Sequence, residues 1–121
     1  MTEKTISVNG TDVKFKASAA LPRMYRNMFG RDMFRDMETF ERLIKGLEPE
    51  EGQFMNEIFE NVAYSMAKHA DPDVPDTIED WLEQFDVRFI YEVAEDILRL
   101  WYNNMKTDVT AKKKRERQSV K

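Results

Sequence analysis

Cysteine is absent from this chain and histidine occurs once, at His69. The first absence excludes disulfides, thiolate chemistry and cysteine-ligated metals. No apolar run approaches the length needed to span a bilayer. The opening residues, MTEKTISVNG, carry neither the apolar stretch of a signal peptide nor the arginine pattern of a transit peptide. A cytosolic protein is therefore expected. There is no GxGxxG and no P-loop to cradle a nucleotide. No serine or threonine stands in a sequence context that suggests a His/Asp triad. The expectation is a binding protein and not an enzyme.

What is present suits a single folded domain. The chain has 121 residues, 41% of them hydrophobic and 12% aromatic, enough for a real core. Charged residues make up 35%, which favours solubility. The charge is unevenly spread. Residues 106–121 hold seven Lys/Arg against two Asp/Glu, and the total is −4, which leaves −9 on residues 1–105. We read 1–105 as the domain and 106–121 as a basic tail, either disordered or a frayed helical extension. An acidic body argues against a nucleic-acid-binding fold, because a duplex needs a basic folded face.

Hydrophobic spacing predicts a mainly α fold with a small N-terminal β-hairpin, an α+β arrangement of about five helices. Residues 4–17 read as the hairpin. Asn9-Gly10 is a strong two-residue turn signal, since both accept positive φ. With those two as the loop, Val8 opposes Thr11 and Ile6 opposes Val13. Ile6, Val8, Val13 and Phe15 then share one face, with Ser7, Asp12 and Lys14 on the other. A lone hairpin is marginal in water, so the apolar face should pack on helices. Its open edges leave self-association as one option.

Residues 21–47 are read as the stretch that organises the chain. Met24, Met28 and Phe29 form a short stripe, and Met33, Met37, Phe40, Ile44 and Leu47 form a longer one. Gly30 separates them as a left-handed C′ residue, and Asp32 is placed to cap the second helix. The methionines have two readings: flexible core fillers, or an adaptable surface for a partner. Met24, Met28, Met33 and Met37 are the candidate contacts. A third helix from about Pro49 to His69 carries Met55, Phe59, Val62 and Met66. The loop at 70–75 leads to a short helix capped by the Asp76/Glu79 pair and bearing Ile78, Trp81, Leu82 and Phe85. A last helix, from about Asp86 to Met105, carries Ile90, Val93, Ile97, Leu100 and Trp101. Trp81, Phe85, Ile97, Leu100 and Phe40 are expected in the core.

Two further clusters bear on chemistry. His69 with Asp71, Asp73 and Asp76 lacks the glycine and closing glutamate of a calcium loop, so an acidic loop at a helix end is the preferred reading. Glu50/Glu51 and Glu95/Asp96 fall on predicted solvent faces. No metal or cofactor is expected.

A resemblance goes further than composition. Phe15-Lys16-Ala17-Ser18-Ala19-Ala20-Leu21-Pro22, Tyr25-Arg26 and Phe29-Gly30-Arg31-Asp32 resemble the opening signature of tail assembly chaperones from long-tailed bacteriophages of Gram-positive hosts. Ala63-Tyr64-Ser65-Met66-Ala67-Lys68, Asp71-Pro72 and Ile78-Glu79-Asp80-Trp81-Leu82 fit as well, with Trp81 standing where such proteins often have phenylalanine. The similarity covers residues 4–105. It implies a protein that binds the tape measure protein, keeps it soluble and helps recruit tail tube subunits. It also implies residence in the host bacterial cytoplasm and absence from the mature virion. In this class a longer form commonly arises by frameshift, for which the Lys112-Lys113-Lys114 run marks a candidate recoding tract. Two alternatives stand beside it: a structural head–tail joining or tube-associated protein, and a small regulatory nucleic-acid-binding protein using the basic tail.

Overall fold

The structure is a computed structural model whose backbone is described for residues 2–8, 10–46 and 52–119, and whose side chains are described for 2–8, 10–46, 57–89 and 91–105. Two strands, β1 (Thr2–Val8) and β2 (Thr11–Ala17), form an antiparallel hairpin. Ile6 pairs with Val13 and Val8 with Thr11, the register expected from the turn. Gly10 has φ of 83°, a left-handed value that glycine adopts without a Cβ clash. Because side chains alternate along a strand, Ile6, Val8, Val13 and Phe15 are all buried together while Ser7, Asp12 and Lys14 face out.

Five helices follow: α1 (Leu21–Phe29), α2 (Met33–Ile44), α3 (Gly52–Ala70), α4 (Ile78–Leu82) and α5 (Phe89–Ser119). The mainly α architecture with an N-terminal hairpin is the one the spacing predicts. Pro22 occupies the first turn of α1, where its missing N–H costs nothing. The chain is led into that turn by Ser18, whose Oγ accepts from the Ala20 N–H at 3.2 Å and whose carbonyl accepts from Leu21 at 3.1 Å. Backbone α5 continues through 106–119, the helical form of the two expected for that stretch; Lys112, Lys113 and Lys114 lie outside the described side chains.

The organising element is α3, not residues 21–47. It packs against β2, α1, α2, α4 and α5, and its broadest interface is with β2. Every residue from 61 to 67 is buried. Ala63, Ser65 and Ala67 make that possible, since small side chains let neighbours approach on all sides. The expected stripe holds for Phe59, Val62 and Met66; Met55 lies outside the described side chains. Ser65 satisfies its hydroxyl locally by donating to the Val62 carbonyl at 2.8 Å. The hairpin lies across α3 and α5, with Lys4 reaching Asp96 at 3.3 Å.

Other expectations shift in detail. Trp81, Ile97, Leu100 and Phe40 are buried, but Phe85, expected on the short helix, lies past its end at Leu82 and is only half-buried. In α2, Leu43 joins Met33, Met37 and Phe40 inside, while Ile44 is half-buried and Leu47 lies outside the described residues. Thr77 caps α4 in place of Asp76, its hydroxyl accepting from the Asp80 N–H at 3.2 Å. Asp76 is drawn away to Lys68 at 2.9 Å. The last helix begins at Phe89 and not at Asp86, because Asp86 first closes a turn by accepting from the Arg88 N–H at 3.0 Å.

Candidate partner-binding surface

The segments singled out in the sequence turn out to be joints of the fold. Gly30 ends α1 with φ of 66° and donates its N–H to the Arg26 carbonyl at 2.7 Å. Two residues on, Asp32 accepts from the Phe34 N–H at 2.9 Å and opens α2. Between them Arg31 folds back onto Asp36. Its Nε donates to Oδ2 at 2.7 Å and its Nη2 to Oδ1 at 2.8 Å. Tyr25 OH donates to the same Oδ2 at 2.5 Å. Burial alone would raise the Asp36 carboxyl, but the hydrogen bonds from Arg31 and Tyr25 outweigh it and hold the group below its ordinary value. Burial, then the bond to Asp36, pushes the Tyr25 phenol well up, so it stays protonated as donor. Asp36 had no signal in the pattern; an acid beside Met37 in a helix reads as solvent-facing until its partners are placed.

A second joint holds residues 71–77. Tyr64 and Lys68, four apart on α3, reach the same loop. Tyr64 OH donates to the Pro75 carbonyl at 2.6 Å. Lys68 Nζ donates to the Pro72 carbonyl at 3.1 Å, to the Val74 carbonyl at 2.6 Å and to Asp76 at 2.9 Å. His69 turns the other way, its Nε2 2.7 Å from Ser18 Oγ, so it ties α3 to the start of α1. Burial and the neighbouring Lys16 lower its pKa. Among the described residues no three His, Asp or Glu side chains gather as a metal-binding group. Glu95 and Asp96 flank Arg99 at 3.9 Å and 3.6 Å; Glu50 and Glu51 lie outside the described residues.

The four candidate methionines divide. Met33 and Met37 are 1% and 3% exposed, packed in the core by α2. Met24 is half-buried and Met28 is 36% exposed on α1, where Leu21 and Tyr25 fill the buried face instead. Met33 and Met37 are therefore core residues in this conformation and cannot touch a partner without opening the fold. Beyond Met28, a hollow of about 290 Å³ is lined by Pro22, Arg23, Arg26, Met33 and Phe34 around the Gly30 corner. Phe34 is 55% exposed and meets Trp101 edge-on at 5.4 Å. Tyr102 and Met105, within a turn of Trp101, are also exposed. Tyr102 donates to Glu41, and burial together with that acceptor pushes its phenol up to about 12.

A second apolar surface lies at the α4–α5 corner. Val87 is 95% exposed and Tyr91 55%. They rim a groove of about 290 Å³ whose other walls are Leu82, Phe85, Asp86, Phe89 and Glu60. Phe85 and Phe89 stack face to face, centroids 3.9 Å apart and planes 8° apart, and both meet Trp81 edge-on. Phe34, Tyr91 and Glu60 carry no signal in the sequence because each sits off the main stripe of its helix, and Val87 carries none because it lies in the connection between α4 and α5.

No helix among the described residues is long and apolar enough to cross a membrane. Comparison of the chain with protein-family models, curated proteins and solved structures finds no match.

Proposed function

We propose that the chain is a tail assembly chaperone of a long-tailed bacteriophage, which binds the tape measure protein in the host cytoplasm, keeps it soluble, helps recruit tail tube subunits and is left out of the virion. The observation that carries this reading is the set of large apolar side chains left outside a filled core: Met28, Phe34, Val87, Tyr91, Tyr102 and Met105. The domain already buries Trp81, Phe15, Phe40 and Tyr25 completely, and exposed apolar groups framed by charge suit contact with another apolar surface. A long amphipathic helix in solution exposes such a surface and is kept soluble when its stripe is covered. The motif residues of the resemblance support it too, since Tyr25, Gly30, Arg31, Asp32, Tyr64 and Lys68 are the ones that form the two joints. Met24 and Met28 remain the methionine contacts in this reading.

Co-expression with the large protein encoded next downstream tests it. The large protein should become soluble and co-purify; if it stays insoluble and unbound, the reading fails. Mass spectrometry of purified particles separates a chaperone, absent from them, from a head–tail joining or tube-associated protein. Binding to nucleic acid that falls steeply with salt and is lost on deleting 106–121 would instead favour the regulatory alternative.

A further inference from the structure

Glu60 occupies an unusual position for an acid in so charged a protein. It projects from α3 just before the buried stretch 61–67 and forms one wall of the groove between Leu82, Phe85, Asp86, Phe89 and Tyr91. Its carboxyl is half-buried, and both influences on it, loss of water first and the nearby Glu57 second, act against the charged form; among the described residues no cation offsets either. A carboxylate in that setting gains most from an incoming positive charge.

The groove around it is small, with apolar walls from Leu82, Phe85, Val87 and Phe89 and a second carboxylate, Asp86, in its lining. At about 290 Å³ it falls just below the range for small-molecule sites, roughly 300–1,000 Å³, and suits one or two side chains. At its rim, Val87 is almost wholly exposed, so the fold itself makes no use of that side chain. The outer wall is the half-buried ring of Phe85, stacked on Phe89. An aromatic wall beside a carboxylate accommodates a guanidinium, which stacks its plane on a ring while its N–H groups reach the oxygens.

We infer that the groove formed by Glu60, Leu82, Phe85, Val87 and Tyr91 docks a cationic amphipathic helix of a partner protein, taking one apolar side chain between Leu82 and Val87 and an arginine one turn away onto Glu60. Charge complementarity selects this occupant: the groove carries Glu60 with Glu57 close by, on a domain whose residues 1–105 sum to −9. The inference deepens the chaperone reading by naming where, and through what chemistry, a helical client is held.

The test uses the full chain and a labelled designed helical peptide of about 18 residues, long enough to form helix on binding, with leucine and arginine four apart on its apolar edge. Fluorescence anisotropy should show saturable binding. Glu60→Gln should weaken it about tenfold, the loss expected for one charge-assisted contact, without lowering Tm, since the substitution removes an uncompensated charge. Val87→Asp should weaken binding similarly and leave Tm unchanged, while Thr5→Ala on the hairpin's outer face changes nothing. Carbon-detected NMR adds a readout that a purely structural role would not move: the Glu60 carboxyl should titrate at lower pH with peptide bound. Equal affinity in Glu60→Gln and Val87→Asp, or equal binding of a peptide with arginine replaced by glutamate, overturns the inference. So does self-association of the chain that Val87→Asp abolishes without any peptide binding, which would give the groove to a second copy. The chaperone reading is judged separately, by co-purification of the tape measure protein with the wild-type chain, so the two can fail independently.

Discussion

Arg31 and Asp36 meet as a two-pronged pair across the Gly30 corner, at 2.7 Å and 2.8 Å, with one partner half exposed and the other almost fully enclosed. The asymmetry sets the consequence of breaking it. Arg31→Ala leaves a buried carboxylate with Tyr25 as its remaining donor, and should cost about 2 kcal/mol by denaturant titration. Arg31→Lys keeps the charge but loses the fork, and should recover only part of that. Wild-type stability in both variants would show that the corner holds without the pair.

Stability should fall in two stages on acidification. His69 has a lowered folded pKa, so the unfolded chain takes up that proton first, and the contribution present above about pH 6.5 is lost as pH drops below it. Asp36 is likewise lowered, and its contribution, present above about pH 4, is lost further down. His69→Gln should remove the first stage alone. A stability curve flat from neutral pH to about pH 4 in the wild type would contradict the His69 assignment.

Leu100 lies at the centre of the α5 face, 2% exposed. Leu100→Ala should cost about 2–5 kcal/mol, combining lost burial with the cavity left behind. A loss under about half a kcal/mol would mean that this face of α5 is open to solvent.

Lys68 holds two carbonyls and Asp76 of the loop that joins α3 to α4. In Lys68→Ala, amide exchange should accelerate at Val74 and its neighbours and proteolytic nicking should concentrate between 71 and 77. Exchange in the hairpin should not change. Uniform acceleration across the chain would instead make Lys68 a determinant of global stability.

The methionines should separate by position. Met28→Asp, on the surface of α1, should shift stability by no more than about 0.5 kcal/mol and, on the proposed chaperone reading, weaken capture of the tape measure protein. Met33→Asp should prevent folding, because it buries a charge without a partner. If Met28→Asp binds as well as wild type, α1 takes no part in recognition.

Local chemistry was legible in the chain, and the tertiary arrangement was not. Asn9-Gly10 dictates a two-residue loop, and with it the pairing of Ile6 with Val13, because the turn fixes the register and a one-residue slip would carry the apolar set to the other face. Gly30 and Asp32 dictate the corner between α1 and α2, since a left-handed C-cap and a side-chain N-cap involve only residues a few positions apart. Thr77 took the cap expected of Asp76 because Lys68, far enough away to be invisible in local pattern, claimed that carboxylate. The burial of Asp36, the all-round enclosure of residues 61–67 of α3, the split between Met28 outside and Met33 inside, and the setting of Glu60 beside Glu57 in an aromatic groove were decided only on packing. Periodicity tells which side of a helix is apolar. It does not tell how many neighbours will cover that side, and coverage is what turns an acid into a buried anchor or leaves an aliphatic side chain on the rim of a groove.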